Sequence, residues 1–301
     1  MADHILLIKH GAFGDLIQAD GVFKDIRRHF VQAKITLVTQ SLYSQLMLRS
    51  PYIDAVIVDD RAPLWHLPRQ YQLKRRLQAC QADRVIDLQN SSRTHWYQRL
   101  LLPAVPWLRR QGPRRHISGL RGLEALLTTA GIKTRYALQP DVSWMATDID
   151  VLLQKNKIAK PYIALIPGSS AKHPQKRWPY YAELASALLA KGHEVVKILG
   201  PDEQALAQKI PGKQVQTADN AVLNWFQLAG VLQQAQYIIG NDTGPSHVAA
   251  NIGTPGLVLF GQKGIAQQTE IEKKHFKVIE VDDFNQLSCD EVLASVLAAL
   301  T

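Results

Sequence analysis

The sequence contains few cysteines and no long apolar run, and both shortages exclude classes of protein. Its two cysteines, Cys80 and Cys289, lie far apart without a Cys-x-x-C or His-rich neighbourhood. They predict neither a disulfide framework nor a zinc site, and a reducing cytoplasm is the expected compartment. No stretch approaches the roughly 18 consecutive apolar residues of a membrane span. The N-terminus, MADHILLIKHG, predicts a strand rather than a signal peptide.

Acidic residues are scarce over one long stretch of the first half. Between positions 61 and 121, 13 basic residues face only two acidic ones, a net charge of 13 − 2 = +11. Residues 1–155 carry 22 − 13 = +9, whereas residues 156–301 carry 13 − 13 = 0. This asymmetry predicts an anionic partner for the first half, either a membrane surface, a phosphorylated glycolipid or nucleic acid. The stretch lacks a recognition helix or an aromatic RNA-binding motif, which disfavours nucleic acid.

Short apolar runs alternate with amphipathic stretches, which is typical of parallel sheets covered by helices. In the first half the predicted strands are Ile5–Ile8, Ile35–Val38, Ala55–Val58 and Arg84–Leu88, and the predicted helices are Leu16–Phe30, His66–Ala79, Leu120–Gly131 and Asp148–Asn156. In the second half the predicted strands are Tyr162–Ile166, Glu194–Leu199, Tyr237–Ile239 and Leu257–Phe260, and the predicted helices are Pro179–Lys191, Val222–Gln234 and Cys289–Leu300. The pattern predicts an α/β fold with two doubly wound Rossmann-like domains, 1–155 and 156–301, facing across a cleft. The last helix either packs on the second half or crosses back to the N-terminal half.

A glycine-bearing loop after the first strand is one candidate site. Gly11 and Gly14 are three residues apart, and the loop has neither the third glycine of a dinucleotide fingerprint nor the Gly-Lys-Ser/Thr of a Walker A loop. Asp15 follows near a predicted helix N-terminus, where capping is one possible role. A carboxylate there can also act as general base, taking the proton of a hydroxyl that attacks an anomeric carbon.

A second candidate site follows the strand Tyr162–Ile166. Lys176 and Arg177 stand just before a helix predicted to begin at Pro179. Positive charge at a helix N-terminus costs roughly 0.3–1 kcal/mol unless an anion also binds there. The two cations either face solvent or neutralise an anion. In the second case Lys176 offsets the charge of a leaving diphosphate, while Ser169 and Ser170 donate hydrogen bonds to its oxygens.

A third candidate site joins the strand Tyr237–Ile239 to a helix through Asp242-Thr243-Gly244-Pro245-Ser246-His247. Backbone N–H groups and the positive end of a helix suit phosphate. The side chains of Asp242 and His247 can bind sugar hydroxyls or phosphate oxygens. An ordinary α/β turn capped by Asp242 is the alternative.

The three motifs together resemble glycosyltransferase family 9, the lipopolysaccharide heptosyltransferases and their relatives. G-x-x-G-D, P-G-x…K-R-W-P and D-T-G-x-x-H occur in the family's order within residues 5–261. The resemblance implies a GT-B fold and metal-independent, inverting sugar transfer. It further implies that a heptose moves from an ADP-linked donor to a lipopolysaccharide inner-core acceptor, without a cofactor.

The resemblance also assigns roles to residues. Asp15 matches the family's proposed catalytic base, and Lys176 matches its phosphate-contacting lysine. The expected donor-binding residues are Ser169, Ser170, Lys176, Glu203, Leu223, Asp242, Thr243, Gly244 and His247. Glu203 follows a strand and can bind ribose hydroxyls or simply cap a helix, and Leu223 lies against the base or in the core. The expected acceptor-binding residues are Gly14, Arg109, Arg110, Arg114 and Arg115, and no metal ligand is expected.

An anionic acceptor anchored in an anionic leaflet predicts a cytoplasmic protein, peripheral at the inner face of the inner membrane. The arginine cluster 109–115 would then face the acceptor or the membrane. Two other functions are considered, a sugar-nucleotide epimerase on the same fold and a non-catalytic sugar-nucleotide-binding protein. The epimerase would turn over donor without acceptor, and the presence of all three motifs argues against a degenerate binder.

Overall fold

The computed structural model describes residues 3–110, 119–217, 219 and 221–301. The chain divides into two compact units, Met1–Pro140 and Asp141–Thr301. The sequence pattern put the division later, between residues 155 and 156. The intervening segment belongs to the second unit because it packs there, with Val142 N–H donating to the Asn251 carbonyl at 3.0 Å.

With the boundary at Pro140, the difference in net charge between the two units is larger than that between the predicted halves. Residues 1–140 carry 21 basic and 10 acidic residues, and 21 − 10 = +11. Residues 141–301 carry 14 basic and 16 acidic residues, and 14 − 16 = −2. The first unit alone therefore has the charge to attract an anionic partner.

The first unit is a five-stranded parallel sheet covered by helices. Its strands are β1 (His4–Ile8), β2 (Lys34–Thr39), β3 (Ala55–Val58), β4 (Arg84–Asp87) and β5 (Trp107–Arg109). Its helices are α1 (Phe13–Gln18), α2 (Asp20–His29), α3 (Ser41–Leu48), α4 (Leu67–Ala79), α5 (Ser92–Leu100) and α6 (Gly119–Thr129). The strand order is β3-β2-β1-β4-β5, with Ile5 opposite Ile35 on one side and Arg84 on the other. The chain thus reverses its direction of winding between β1 and β4, where doubly wound sheets open a binding crevice.

The second unit is a six-stranded parallel sheet built on the same plan. Its strands are β6 (Tyr162–Ile166), β7 (Glu194–Lys197), β8 (Lys213–Gln214), β9 (Tyr237–Asn241), β10 (Gly256–Phe260) and β11 (Phe276–Glu280). Its helices are α7 (Asp150–Lys155), α8 (Tyr181–Ala190), α9 (Trp225–Gln234), α10 (Gly244–Ile252), α11 (Ala266–Thr269) and α12 (Cys289–Leu300), with 3-10 turns at Ser143–Met145, Pro174–Lys176, Pro201–Leu206 and Phe284–Gln286. The order β11-β10-β9-β6-β7-β8 places the winding reversal between β6 and β9. The predicted α/β class with two parallel, doubly wound sheets is confirmed.

Several elements differ from the predicted ones. The helix predicted over Leu16–Phe30 is two helices, α1 and α2, separated at Ala19. The helix predicted from Pro179 begins at Tyr181. The sequence pattern does not predict α3, α5, α11, β5, β8 and β11. The last helix packs in the second unit, where Val292 and Val296 are buried in the core beside Leu184 of α8. Within the described ranges, no helix combines the length and apolarity needed to cross a membrane.

Helix α2 holds the end of the first unit through a buried carboxylate. Asp25 is buried, and its Oδ2 accepts hydrogen bonds from the backbone N–H groups of Arg135, Tyr136 and Ala137 at 3.0, 2.9 and 2.8 Å. One turn earlier, a Cβ on Gly21 would lie 1.9 Å from the Tyr136 carbonyl oxygen. The glycine therefore permits the close approach that the carboxylate then fixes.

Replacing Asp25 with alanine should destabilise the first unit, because three buried N–H donors lose a charged acceptor. We expect Asp25→Ala to lower the free energy of unfolding, measured by urea denaturation, by about 3 kcal/mol or more. Asp83→Ala is the matched control, since its exposed carboxylate accepts one N–H, that of His4, and it should cost under about 1 kcal/mol. Equal losses for the two variants would show that Asp25 does not hold this segment.

Candidate active site

A buried asparagine joins the two motifs of the second unit. Asn241, at the end of β9, donates from Nδ2 to the carbonyls of Pro167 at 2.9 Å and Gly168 at 3.2 Å. Its Oδ1 accepts from the Trp178 N–H and the Tyr181 hydroxyl, both at 3.2 Å. All four polar contacts of this amide lie in or beside the P-G-S-S and K-R-W-P segments. Asn241 is not among the site residues predicted from the sequence, although its place between a strand and D-T-G is a usable signal.

The same connection brings Lys176 to the third motif. Lys176 Nζ forms an ion pair with Asp242 Oδ2 and donates to the Asp242 carbonyl at 3.3 Å. His247 Nε2 lies 3.5 Å from Asp242 Oδ1. Burial by itself would raise the pKa of Asp242, but the hydrogen bonds from His247 and Lys176 outweigh it and hold that pKa below its usual value. Asp242 and His247 are buried, whereas the Lys176 side chain keeps 40% of its surface exposed and can meet a ligand.

The position of Lys176 and Arg177 corrects the charge argument made from the sequence. Because α8 begins at Tyr181, the two cations do not occupy its first turn, and the predicted conflict with the helix dipole is wrong. Arg177 instead fixes the preceding loop, donating from Nε to Ser169 Oγ at 3.1 Å and from a terminal nitrogen to the Ser169 carbonyl at 2.8 Å. The Ser169 hydroxyl also donates to the His173 carbonyl at 2.8 Å. Ser169 is therefore buried within its own loop, while Ser170 is exposed.

Helix α10 begins directly beside this ion pair. Thr243 is its N-cap residue, and Gly244 and Pro245 form its first turn. The Ser246 hydroxyl donates to the Asn241 carbonyl at 2.6 Å, so the helix is anchored to the same asparagine. The free N–H groups of a helix N-terminus favour an anion at this point.

Glu203 and Leu223 occupy loops of the same unit. Glu203 Oε2 accepts the Gly200 N–H at 2.8 Å, so the carboxylate caps its own 3-10 turn. It also lies against the second motif, since a Cβ on Gly168 would be 1.9 Å from Glu203 Cδ. Burial raises the pKa of Glu203. Leu223 is half-buried on the segment before α9; the roles of both residues toward a nucleotide stay predictions.

In the first unit, Asp15 caps a helix and remains accessible, while its role as general base stays a prediction. Its Oδ2 accepts the Ala12 N–H at 3.1 Å and so caps the first turn of α1. The carboxylate nevertheless keeps half of its surface exposed, and Lys9 Nζ lies 3.7 Å from Oδ2. Burial lowers the pKa of Lys9, an effect that the charge of Asp15 partly offsets. Gly14 is half-buried in the same turn, at the point where the sheet reverses between β1 and β4.

A buried network that the sequence did not predict holds the loop before Asp15. His10 Nε2 lies 2.7 Å from Asp59 Oδ2, and the Tyr97 hydroxyl donates to the same oxygen at 2.5 Å. Burial by itself would raise the pKa of Asp59, but the hydrogen bonds from His10 and Tyr97 outweigh it and lower that pKa. The backbone N–H of His10 also donates to Gln89 Oε1 at 3.0 Å. The network ties the ends of β1, β3 and β4 together beneath the loop.

The predicted acceptor arginines have different surroundings. Arg109 points inward, with 10% of its side chain exposed and an ion pair of 3.4 Å to the buried Asp87; it also donates to Gln98 Oε1 at 2.7 Å. Arg110 is half-buried, and its charge is close enough to Lys9 to lower the pKa of that lysine. Arg114 and Arg115 lie outside the described residues. A role in acceptor binding stays a prediction for all four.

Across 3–110, 119–217, 219 and 221–301, no group of three or more His, Cys, Asp or Glu side chains is arranged to hold a metal ion. Among the predicted site residues, the structure brings Lys176, Asp242 and His247 into one cluster and places Lys9 beside Asp15.

Comparison with known proteins assigns this arrangement to a family. The model of glycosyltransferase family 9 (heptosyltransferase) matches residues 123–290, more than half of the chain. The lipooligosaccharide heptosyltransferase 2 of Haemophilus ducreyi is 24% identical over 85% of this chain and 83% of its own.

Two solved structures share the fold. The family 9 glycosyltransferase of Veillonella parvula has a TM-score of 0.81 and 19% identity over 99% of this chain and 97% of its own. The E. coli heptosyltransferase WaaC with ADP has a TM-score of 0.74 and 18% identity over 98% of this chain and 99% of its own. These likenesses identify the two-sheet architecture as the GT-B type. The chain belongs to glycosyltransferase family 9, and it is a glycosyltransferase.

Proposed function

We propose that this glycosyltransferase moves a heptose from an ADP-heptose donor to an inner-core sugar of lipopolysaccharide, with inversion at the anomeric carbon. The observation that carries the proposal is the Lys176–Asp242 ion pair at the winding reversal of the second sheet, beside the N-terminus of α10. A partly exposed cation and a helix N-terminus together suit a diphosphate. The names of the relatives support the choice of donor and acceptor.

Donor binding is proposed for the second unit. Lys176, the backbone of Thr243 and Gly244, and the exposed Ser170 hydroxyl hold the diphosphate oxygens. Asp242 positions Lys176 and, with His247, offers polar atoms toward the sugar. Glu203 accepts hydrogen bonds from the ribose hydroxyls, a role that fits its place in the turn after β7. Ser169 stabilises the loop through its own hydrogen bonds.

Asp15 is proposed as the general base. It takes the proton of the attacking acceptor hydroxyl while that oxygen forms a bond to the anomeric carbon. The bond from that carbon to the diphosphate oxygen breaks at the same time, and ADP leaves with the electron pair. Lys176 offsets the charge that develops on the leaving group. No resident cofactor or metal is assigned a step.

Acceptor binding is proposed for the first unit. Its net charge of +11 (21 − 10, residues 1–140) suits the phosphates and carboxylates of an inner core. Gly14, Arg109, Arg110, Arg114 and Arg115 are the proposed contacts, and Arg109 among them is already paired with Asp87. The enzyme would work in the cytoplasm at the inner face of the inner membrane, where such an acceptor is anchored.

The choice of donor is tested by nucleotide binding and turnover. Among ADP, UDP, GDP and TDP, we expect ADP to raise the melting temperature most, because a ligand that binds only the folded state stabilises it by mass action. ADP-heptose should be consumed only when a lipopolysaccharide acceptor is added, as measured by ADP release. Consumption of donor and formation of an isomer without acceptor would contradict transfer and favour an epimerase.

Asp15→Asn should abolish transfer while leaving nucleotide affinity unchanged. The asparagine keeps an oxygen to accept the Ala12 N–H, so α1 stays capped, but it cannot take a proton. We expect kcat to fall by about 10²–10⁴-fold, with ADP affinity by calorimetry within a factor of about two of the parent. Asp83→Asn, which also keeps its single backbone hydrogen bond, is the control and should retain full activity. If Asp15→Asn keeps activity within a few-fold of the parent, Asp15 is not the base.

Lys176→Met should slow transfer and weaken diphosphate binding, because it keeps the aliphatic stem but removes the charge. We expect kcat to fall by about 10²-fold or more and ADP to lose more affinity than AMP. Lys172→Met, an exposed lysine in the same loop, should behave like the parent. Lys176→Met removes the lysine that pairs with Asp242 and leaves that carboxylate with His247. A melting curve for each variant therefore separates a loss of catalysis from a loss of stability. Equal kcat values in both variants would remove Lys176 from the mechanism.

A further inference from the structure

Three large apolar side chains are exposed close together at the beginning of α4. Trp65, Leu67 and Tyr71 have 79%, 71% and 63% of their surface accessible. Large apolar side chains exposed within one turn or two of each other mark an interaction surface more often than scattered single ones do. Tryptophan and tyrosine in particular favour the boundary between water and lipid headgroups.

The same helix is basic and carries no acidic residue. Arg69, Lys74, Arg75 and Arg76 lie on α4, and no Asp or Glu occurs from position 61 to position 82. The acidic residues at the two ends of this stretch are engaged elsewhere. Asp60 accepts the Ser41 N–H at 2.7 Å, and Asp83 accepts the His4 N–H at 2.7 Å. The positive charge of this helix is therefore not neutralised by its own sequence neighbours.

Helical geometry separates the two faces of α4. Leu73 and Leu77 are buried on the core of the first unit. Leu67, Tyr71 and Arg75 follow one another at intervals of four residues and share a different face. Two apolar side chains are thus followed by a cation along one exposed row, and Lys74 lies beside this row, three residues after Tyr71. An apolar row flanked by cations is the arrangement of a helix that lies in a lipid interface.

The segment with these exposed side chains starts at the carboxyl end of the first sheet, the same end at which Asp15 lies. The segment leading into α4 follows the carboxyl end of β3, where Asp59 binds His10. His10 is at the carboxyl end of β1, immediately before the loop that leads to Asp15. A bilayer in contact with the start of α4 would therefore lie near the carboxyl ends of the strands, where the proposed base Asp15 also lies.

We propose that Trp65, Leu67, Tyr71 and the two cations beside them on α4, Lys74 and Arg75, form a docking surface for an anionic phospholipid bilayer, here named the α4 surface. The apolar side chains enter the headgroup region, and the cations contact lipid phosphates. Charge decides against a second copy of this chain as the occupant, because a symmetric contact would bring like charges together. The proposal does not depend on the identity of donor or acceptor; only its link to a membrane-anchored acceptor rests on the proposed function.

Vesicle co-sedimentation of the full chain tests the proposal. The parent should bind vesicles of phosphatidylglycerol and phosphatidylcholine and bind pure phosphatidylcholine weakly. Trp65→Ser/Leu67→Ser and Lys74→Glu/Arg75→Glu should each lower the partition coefficient on the mixed vesicles by about tenfold or more. Matched controls in the second unit are Val151→Ser, which alters a side chain 81% exposed, and Lys274→Glu/Lys277→Glu; both should bind like the parent.

Two further measurements make the outcome decisive. Transfer to a water-soluble acceptor without lipid chains should be equal in the parent and both α4 variants, so a failure of transfer is distinguishable from a failure of docking. Unchanged vesicle binding in both α4 variants would overturn the proposal, as would equal binding to neutral vesicles. A dimer in sedimentation velocity that Trp65→Ser/Leu67→Ser converts to monomer, with vesicle binding intact, would assign the surface to a second copy instead.

Discussion

The hydrogen bonds of the Asn241 amide constrain everything else in the second unit's site. Both ends of this buried side chain are used, with two carbonyls accepting on one side and an N–H and a hydroxyl donating on the other. Leaving any one of these groups unpaired without water costs about 1–3 kcal/mol. The loops that carry Lys176 and Asp242 therefore keep a fixed separation, and their ion pair follows from that constraint.

In the first unit, ionisable side chains rather than an amide hold the loop of the candidate site in place. The His10–Asp59–Tyr97 network fixes the end of β1 from below, while Lys9 stands beside the Asp15 carboxylate. Buried ionisable groups are costly unless they are paired, so such a cluster is expected where function requires it. A carboxylate that accepts one backbone N–H and stays half-exposed is both held in place and open to a substrate hydroxyl.

Sequence patterns predicted eight of the eleven strands because buried parallel strands are short, continuous apolar runs. They failed for the edge strands β5, β8 and β11, of which β5 has only three residues and includes a cation. They also failed for α5, which has a capping serine but little apolar periodicity. The motifs fell at strand ends, as predicted, yet the directions of Arg109, Arg177 and Ser169 could not be read from the chain. Each of these side chains is oriented by partners that only the folded sheet brings near, such as Asp87 for Arg109.

Net charge alone also misleads about where an anionic partner binds. The first unit contains cations of two kinds, and only the structure distinguishes them. Lys9 and Arg109 are turned inward toward carboxylates, so much of their field is cancelled locally. The cations of α4 lie in a segment without acidic residues, beside exposed apolar side chains. The charge of α4 therefore acts at longer range than that of Arg109, whose field the buried Asp87 partly cancels.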